Sequence, residues 1–156
     1  MIYALFWMIQ HLLTVLTAGM LRVPEIFLLS LVYGLLTKGR DANVSVIWTA
    51  FVGGLLWDLR WMGIPGLFAL SYTGVALLVL WTWNTLPVPG RTLLVVFALF
   101  WAAQLFPAVL FFLLVLERGV GGAGGAFLAV QQACAIPLSL LCVFLTNRTR
   151  NQTIED

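Results

Sequence analysis

In residues 53–72, GGLLWDLRWMGIPGLFALSY, an apolar run ends at an acid, Asp58, and a Gly/Pro turn then leads into a second apolar run. An ionised carboxylate at the centre of a membrane helix costs about 2.5 to 3.5 kcal/mol on insertion scales, and less near the interface. Two interpretations of this acid follow. Asp58 is either a solvated charge at the water boundary, weakly paired with Arg60, or a fixed polar anchor that holds the turn or a partner.

The composition around this stretch is that of an integral membrane protein. Of the 156 residues, 62% are hydrophobic and 9% are charged, whereas a soluble domain has roughly 45 to 50% apolar and 25% charged residues. About 20 residues cross a hydrocarbon core of about 30 Å, so the chain has room for five or six helices and for no sizeable soluble domain. The net charge of +2, without a Lys/Arg run, argues against nucleic acid as a partner.

The apolar runs and their breakers predict an all-α fold, a polytopic six-helix transmembrane bundle. The predicted helices are residues 2–21, 24–37, 43–59, 67–84, 92–116 and 126–146, within one integral membrane domain covering 1–156. Pro24 is suited to open the second helix, and Glu25 behind it is interpreted as an end charge favoured by the helix dipole. Residues 119–125, GVGGAGG, are predicted to form a flexible loop.

Three polar side chains fall near the middle of predicted helices. Gln10 and His11 lie in the first helix and Gln104 lies in the fifth. Because an amide in hydrocarbon needs a hydrogen-bond partner, Gln104 is predicted to bond to Gln10 or His11. His11 is interpreted as a neutral imidazole bonded to another helix rather than as a proton relay.

The Lys and Arg residues in alternate loops predict the orientation. With six helices and a cytoplasmic N-terminus, five cations lie on the cytoplasmic side and three on the outer side. They are Lys38, Arg40, Arg91, Arg148 and Arg150 inside, and Arg22, Arg60 and Arg118 outside. Both termini are therefore expected in the cytoplasm, with the turn after Asp58 on the outer face.

No cofactor, metal or catalytic site is predicted. Cys134 and Cys142 are about 12 Å apart along one predicted helix, too far to form a disulfide. Two cysteines and a single His make no metal-ligand cluster. No Ser or Cys has an evident base beside it, and most acids fall at predicted helix ends or in the tail. The chain is therefore interpreted as non-enzymatic.

The residues around Asp58 also carry a resemblance. The order is Pro24 opening a short helix with Tyr33 in it, then Gly54-Leu55-Leu56-Trp57-Asp58-Leu59, then Gly63, Gly66-Leu67, Ala69-Leu70 and Tyr72. This order resembles that of the bacterial rod shape-determining protein MreD family, and chain length and helix number agree. The similarity is densest from residue 24 to about residue 79.

The resemblance implies a non-enzymatic scaffold of the bacterial inner membrane, required for rod shape and lateral peptidoglycan synthesis. It implies binding to an MreC-like single-span partner in the lipid bilayer. Through that partner the protein would connect cytoplasmic MreB filaments to the RodA glycosyltransferase and its cognate transpeptidase. The candidate partner-binding or anchoring residues are Asp58, Arg60, Gly54, Gly63, Gly66, Pro24 and Tyr33.

A second function belongs to another class. Small six-helix proteins of this kind are also similar to the substrate-binding subunits of energy-coupling-factor vitamin transporters, which hold a small molecule near the outer face. Such a site needs several convergent polar and aromatic groups. The candidates on the outer side are Asp58, Arg60, Trp57, Trp61 and Glu117.

Overall fold

The computed structural model describes residues 2–17, 23–37, 40–62, 65–117 and 121–155. Within these ranges the chain forms six α-helices and no strand. The helices are α1 (Ile2–Leu16), α2 (Ile26–Thr37), α3 (Arg40–Trp57), α4 (Leu67–Thr85), α5 (Leu93–Glu117) and α6 (Gly121–Glu155). A π-helical turn, Asp58–Met62, continues α3, and a 3-10 turn, Val88–Gly90, lies between α4 and α5. The all-α prediction is confirmed.

Among the described residues, three segments are long and apolar enough to cross a membrane: Leu67–Thr85 in α4, Leu93–Leu113 in α5 and Leu128–Thr149 in α6. α1 and α2 are apolar but shorter. Large apolar side chains point outward from every helix except α2, as they do on a surface that faces lipid. These features are consistent with a membrane protein.

The short helix α2 lies at the centre of the bundle. Nine of its twelve residues are buried, and it contacts α1, α3, α4, α5 and α6. The other contacts are mainly between neighbours in sequence, α3 with α4 and α5 with α6. A helix that is apolar all round is buried on all sides, which is why this run, with Ser30 and Tyr33 as its most polar members, occupies the middle.

Several helix boundaries differ from the sequence expectation. α1 ends at Leu16, α3 begins at Arg40 rather than at residue 43, and α6 begins at Gly121 rather than at residue 126 and continues to Glu155. Residues 121–125, expected in a loop, are therefore helical. In apolar surroundings a helix satisfies its own backbone hydrogen bonds, and this outweighs the low helix propensity of glycine. The last predicted residues of the first helix, 18–21, lie outside the described ranges.

Candidate functional site

One side of α3 is lined by residues spaced four apart. Val46, Ala50, Gly54 and Asp58 are all buried, and this spacing puts them on a single face. The face packs on α4. Side-chain size decreases along it toward Gly54, and a carboxylate follows one turn later, where α3 passes into the π-helical turn.

Gly54 allows the backbones of the two helices to meet. A Cβ atom at this position would lie 2.6 Å from the Cα of Ala69 and 2.6 Å from the carbonyl oxygen of Phe68. Atoms at that distance overlap, so a side chain at residue 54 would force α3 and α4 apart. The close approach brings the next residue on the same face, Asp58, within reach of the first turn of α4.

Asp58 caps the N-terminus of α4. Its Oδ1 accepts the N–H of Phe68 at 2.8 Å, and its Oδ2 accepts the N–H groups of Gly66 at 3.1 Å and Ala69 at 3.0 Å. The first amides of a helix have no partner inside the helix and favour a negative charge. Gly66 precedes the helix with a φ of 102°, a left-handed conformation that suits glycine. This cap is supplied by the preceding helix and not by the N-cap residue itself.

This geometry separates the two interpretations of Asp58. Its side chain is 0% exposed, so a solvated boundary charge is the wrong description. Both oxygens accept backbone amides, and Arg60, expected as the partner of Asp58, is exposed. The bonding amides belong to Gly66 and to the first turn of α4. Gly63, also expected in this turn, lies outside the described residues.

A second buried acid, Glu25 at the start of α2, is bound by the next turn of α4. Tyr72 follows Phe68 by four residues, is fully buried, and donates its hydroxyl to Oε2 of Glu25 at 2.5 Å. The same oxygen accepts the side-chain amide of Gln10 from α1. Glu25 is 3% exposed. Glu25 does lie at the end of α2, but its side chain is buried among donors from two other helices, which the interpretation as an end charge did not include.

Gln104 of α5 binds the backbone of the same residue. Its Oε1 accepts the N–H of Glu25 at 2.8 Å, and its Nε2 donates to the Glu25 carbonyl at 2.9 Å. Gln10 completes the arrangement, since its Oε1 accepts the N–H of Phe27 at 2.8 Å. The predicted bond between Gln104 and Gln10 is thus replaced by a shared partner. We call Gln10, Glu25, Tyr72 and Gln104 the Glu25 cluster.

The cluster exists because α2 begins inside the bundle. Glu25 is its N-cap, with its carbonyl accepting the N–H of Leu29 at 3.0 Å, and Pro24 lies one residue before the cap rather than at the first helical position. Gln104 is the twelfth of the 25 residues of α5, so α2 starts level with the middle of that helix. Amides at a helix start cannot reach water there and need internal acceptors.

Sequence reasoning missed Glu25 although a signal was available. The apolar run after Pro24 is too short to cross a membrane, since twelve helical residues cover about 18 Å. A helix that short must start or end within the bundle, and a polar residue at its start then needs buried partners. Gln10 and Gln104, both predicted near the middle of apolar helices, carry the donors and acceptors that could have been assigned to Glu25.

The remaining predicted residues make separate contacts. His11 is half-buried and stacks on Trp7 at a centroid distance of 5.4 Å, and it meets Trp57 of α3 edge-on at 6.3 Å. Tyr33 shares a hydrogen bond of 2.9 Å with Thr149, which ties α2 to α6. Pro24 is half-buried. The structure therefore brings Gly54, Asp58 and Gly66 together, and leaves Tyr33 apart from them.

Both acids have chemistry suited to holding helices. Each of them accepts hydrogen bonds from buried groups of other elements, Asp58 from the start of α4 and Glu25 from α1 and α4. Among the side chains described, no group of three or more His, Cys, Asp or Glu is placed to hold a metal ion. Comparisons of the chain with protein-family models, with curated proteins and with solved structures gave no match.

Proposed function

We propose that this protein is a non-enzymatic membrane scaffold of the MreD type, which binds an MreC-like single-span protein in the inner membrane of a bacterium. In that role it acts in lateral cell-wall synthesis and rod shape. The MreB filaments, the RodA glycosyltransferase and its transpeptidase are the partners that it reaches indirectly.

The observation that carries the proposal is that residues bearing the resemblance form one connected unit. Gly54 packs on the backbone of Ala69, and Asp58 binds the amides of Gly66, Phe68 and Ala69. Tyr72, one turn later, binds Glu25, the residue after Pro24. The glycines, the acid and the aromatic residue that carry the resemblance to the MreD family are thus also in contact with one another. This favours a structure in common with that family over a chance similarity of apolar runs.

The partner-binding experiment uses Asp58→Ala. Loss of the cap should loosen the joint between α3 and α4, while insertion should survive because the total apolarity of the chain does not fall. We expect the variant to reach the membrane at normal levels, to recover less than about a tenth of the MreC-like partner in a pull-down, and to give round cells in a rod-shaped host. Normal recovery and normal shape would contradict the proposal.

A matched control separates partner binding from general damage. Gly74 lies in α4, outside the connected unit, and a Cβ atom there would meet no atom within 4 Å. Gly74→Ala should therefore leave partner recovery and cell shape unchanged. If both variants lose the partner equally, the effect does not depend on the Asp58 cap.

The proposed topology is six crossings with both termini in the cytoplasm. The five-to-three distribution of cations supports it. Single cysteines at Gly63 and Gly122, in a chain without Cys134 and Cys142, should react with an impermeant maleimide on intact spheroplasts. Labelling only after lysis would count against this topology.

The vitamin-transporter alternative has less support from the described side chains. Both oxygens of Asp58 already bind backbone amides, and Trp57 is 8% exposed and packs on Phe68 and His11. These two groups are therefore occupied within the bundle. Arg60 is exposed, and nothing is described of the side chains of Trp61 and Glu117, so the described side chains do not form the set of convergent groups that a small-molecule site needs.

A further inference from the structure

The inner face of α6 is small and polar. Gln131, Ala135, Ser139 and Thr146 are buried and follow helical spacing, whereas large apolar side chains such as Leu140 and Phe144 point outward. Gln131 is the largest residue of this face and is 0% exposed. It faces the interior of the bundle and not lipid.

The Gln131 side chain differs from the other two buried glutamines. Gln10 and Gln104 each use both amide atoms in hydrogen bonds to the start of α2. Neither Nε2 nor Oε1 of Gln131 has a hydrogen-bond partner among the described residues. A buried primary amide with neither its donors nor its acceptor used is strongly disfavoured in apolar surroundings, so this side chain calls for a further hydrogen-bonding molecule.

The position opposite Gln131 on α5 offers an acceptor. α5 and α6 are consecutive, pack extensively and are separated by three residues, so they are antiparallel. Gln131 lies ten residues after the start of α6, and Pro107 lies ten residues before the end of α5. Pro107 has no amide hydrogen, so the carbonyl of Ala103 lacks the donor that a regular helix supplies. That carbonyl points along α5 toward the level of Pro107 and Gln131.

We infer that Gln131 and the Ala103 carbonyl bind an internal water molecule between α5 and α6. Water donates two hydrogen bonds and accepts up to two. It donates here to the Ala103 carbonyl and to Gln131 Oε1, and it accepts from Gln131 Nε2. Ala103, Ala108 and Ala135, buried residues of the same parts of α5 and α6, are small, which suits a site for one water molecule.

The water site extends the polar layer of the bundle. Gln104 lies one turn before Pro107 on α5 and binds the backbone of Glu25. The Glu25 cluster contains hydrogen-bonding groups of α1, α2, α4 and α5, and the water site adds a group of α6 to them. A polar layer shared by these five of the six helices fixes their relative depth, because a shift of any one of them would leave its polar group unpaired.

The test observes the glutamine side-chain amides directly. In protein labelled with ¹⁵N-glutamine and placed in nanodiscs, the Gln131 amide protons should show a cross-relaxation peak to water, identified by its loss in Gln131→Leu. The Gln104 amide, which donates to the Glu25 carbonyl, should show at most a tenth of that intensity and serves as the internal control.

A second variant tests the role of the proline. Pro107→Ala returns an amide donor to the Ala103 carbonyl, so the water loses one of its partners and the Gln131 peak should fall by at least half. A Gln131 amide without a water peak, or a peak unchanged by Pro107→Ala, would overturn the inference. So would a rise of several degrees in the melting temperature of Gln131→Leu, which is the result expected when an unpaired buried amide is removed.

Discussion

The two buried acids of this protein differ in what donates to them. Asp58 receives three backbone N–H groups from the first turn of α4 and the residue before it. The donors to Glu25 that the structure describes are side-chain groups, among them the amide of Gln10 and the hydroxyl of Tyr72. Backbone donors are fixed by the helix, whereas a hydroxyl rotates and an amide turns over. We call the set of donors around Asp58 a rigid socket, because its donors are fixed, and the set around Glu25 an adjustable socket, because its donors can turn.

The sockets also differ in what they join. Asp58 links α3 to α4, which are consecutive, and so it sets the geometry of one hairpin. The Glu25 cluster links α1, α2, α4 and α5, which are distant in sequence. A local joint can form early with little loss of chain entropy, whereas a non-local one requires the bundle to be assembled. We expect the hairpin of α3 and α4 to keep its shape when the Glu25 cluster is damaged. Damage to the hairpin, in contrast, is expected to disturb the cluster, because Tyr72 belongs to α4.

The largest effect is expected from removing the carboxylate of Glu25. Glu25→Ala leaves the donors of Gln10 and Tyr72 without their acceptor in the middle of the bundle, far from water. Each buried unsatisfied group costs about 1 to 3 kcal/mol, so for these two groups the free energy of unfolding should fall by about 2 to 6 kcal/mol. Unfolding in mixed detergent micelles measures it.

Asp58→Ala provides the comparison for that experiment. Its three amides lie at the start of a helix, where replacing a cap by Ala ordinarily costs about 0.5 to 2 kcal/mol. The loss should therefore be smaller than for Glu25→Ala. An equal or larger loss for Asp58→Ala would mean that the hairpin, and not the Glu25 cluster, controls the stability of the bundle.

Isosteric amides test whether the sockets are rigid or adjustable. In Asp58→Asn the new NH₂ group faces at least one backbone N–H in either orientation, because Oδ1 accepts Phe68 and Oδ2 accepts both Gly66 and Ala69. We expect a loss of about 1 to 2 kcal/mol, no larger than that of Asp58→Ala, because asparagine keeps one acceptor. Glu25→Gln can keep a carbonyl oxygen toward both Gln10 and Tyr72, so its loss should stay below about 1 kcal/mol.

The order of these two variants is the informative result. Thermal unfolding of both proteins, with the wild type as reference, is sufficient to establish it. If Glu25→Gln is the more damaging, then the charge of Glu25 matters more than its acceptor geometry, and the contrast between a rigid and an adjustable socket is incorrect.

The close approach behind the Asp58 socket is tested with two glycines. Gly54→Ala places a Cβ atom 2.6 Å from backbone atoms of α4. Since backbone atoms move only with their helix, α3 and α4 must separate, at a cost of about 1 to 3 kcal/mol. Gly74→Ala meets open space and should be neutral or stabilising by up to about 1 kcal/mol, because alanine is the better helix former. Similar melting temperatures for the two variants would contradict the close approach.

The sequence was sufficient to predict the helices but not their levels within the bundle. Apolar runs and breakers such as Pro65 and Pro87 predict six helices because each run has to satisfy its backbone internally. The importance of Asp58 was also predictable, since an acid after an apolar run needs a reason. Its partners were predicted less well. Arg60 is near in sequence, but fixed amides at the start of α4 compete better for a buried carboxylate than a flexible cation does.

Glu25 shows what the pattern of residues could not reveal. An acid after a proline at the start of an apolar run is typical of an exposed helix end. Its burial follows from the depth at which α2 begins, and that depth depends on contacts with Gln10 and Gln104, which lie 15 and 79 residues away. The need of Gln104 for a partner was correctly recognised. Gln104 binds a backbone group instead of another side chain because of how the helices pack, and this packing could not be predicted from the sequence.

The smallest effect is expected for coupling between Gln10 and Gln104. They contact the same residue but not each other, so each one helps to hold Glu25 in place for the other. Interhelical hydrogen bonds in membrane proteins average about 0.6 kcal/mol, and an indirect coupling should be no larger. A double-mutant cycle of Gln10→Leu and Gln104→Leu should give an interaction energy of about 0.3 to 0.6 kcal/mol.

The same cycle repeated in a Glu25→Ala background decides how the coupling travels. Without the side chain of Glu25, Gln10 loses its carboxylate acceptor, but Gln104 still binds the backbone of residue 25, so a coupling carried by the carboxylate should fall to zero. A coupling that persists unchanged is carried instead by the backbone at the start of α2, through the bond from Phe27 N–H to Gln10. In that case the carboxylate of Glu25 does not connect Gln10 to Gln104, and Glu25 acts only at the start of α2. The two sockets then differ in their depth in the bundle and not in the number of helices that they couple.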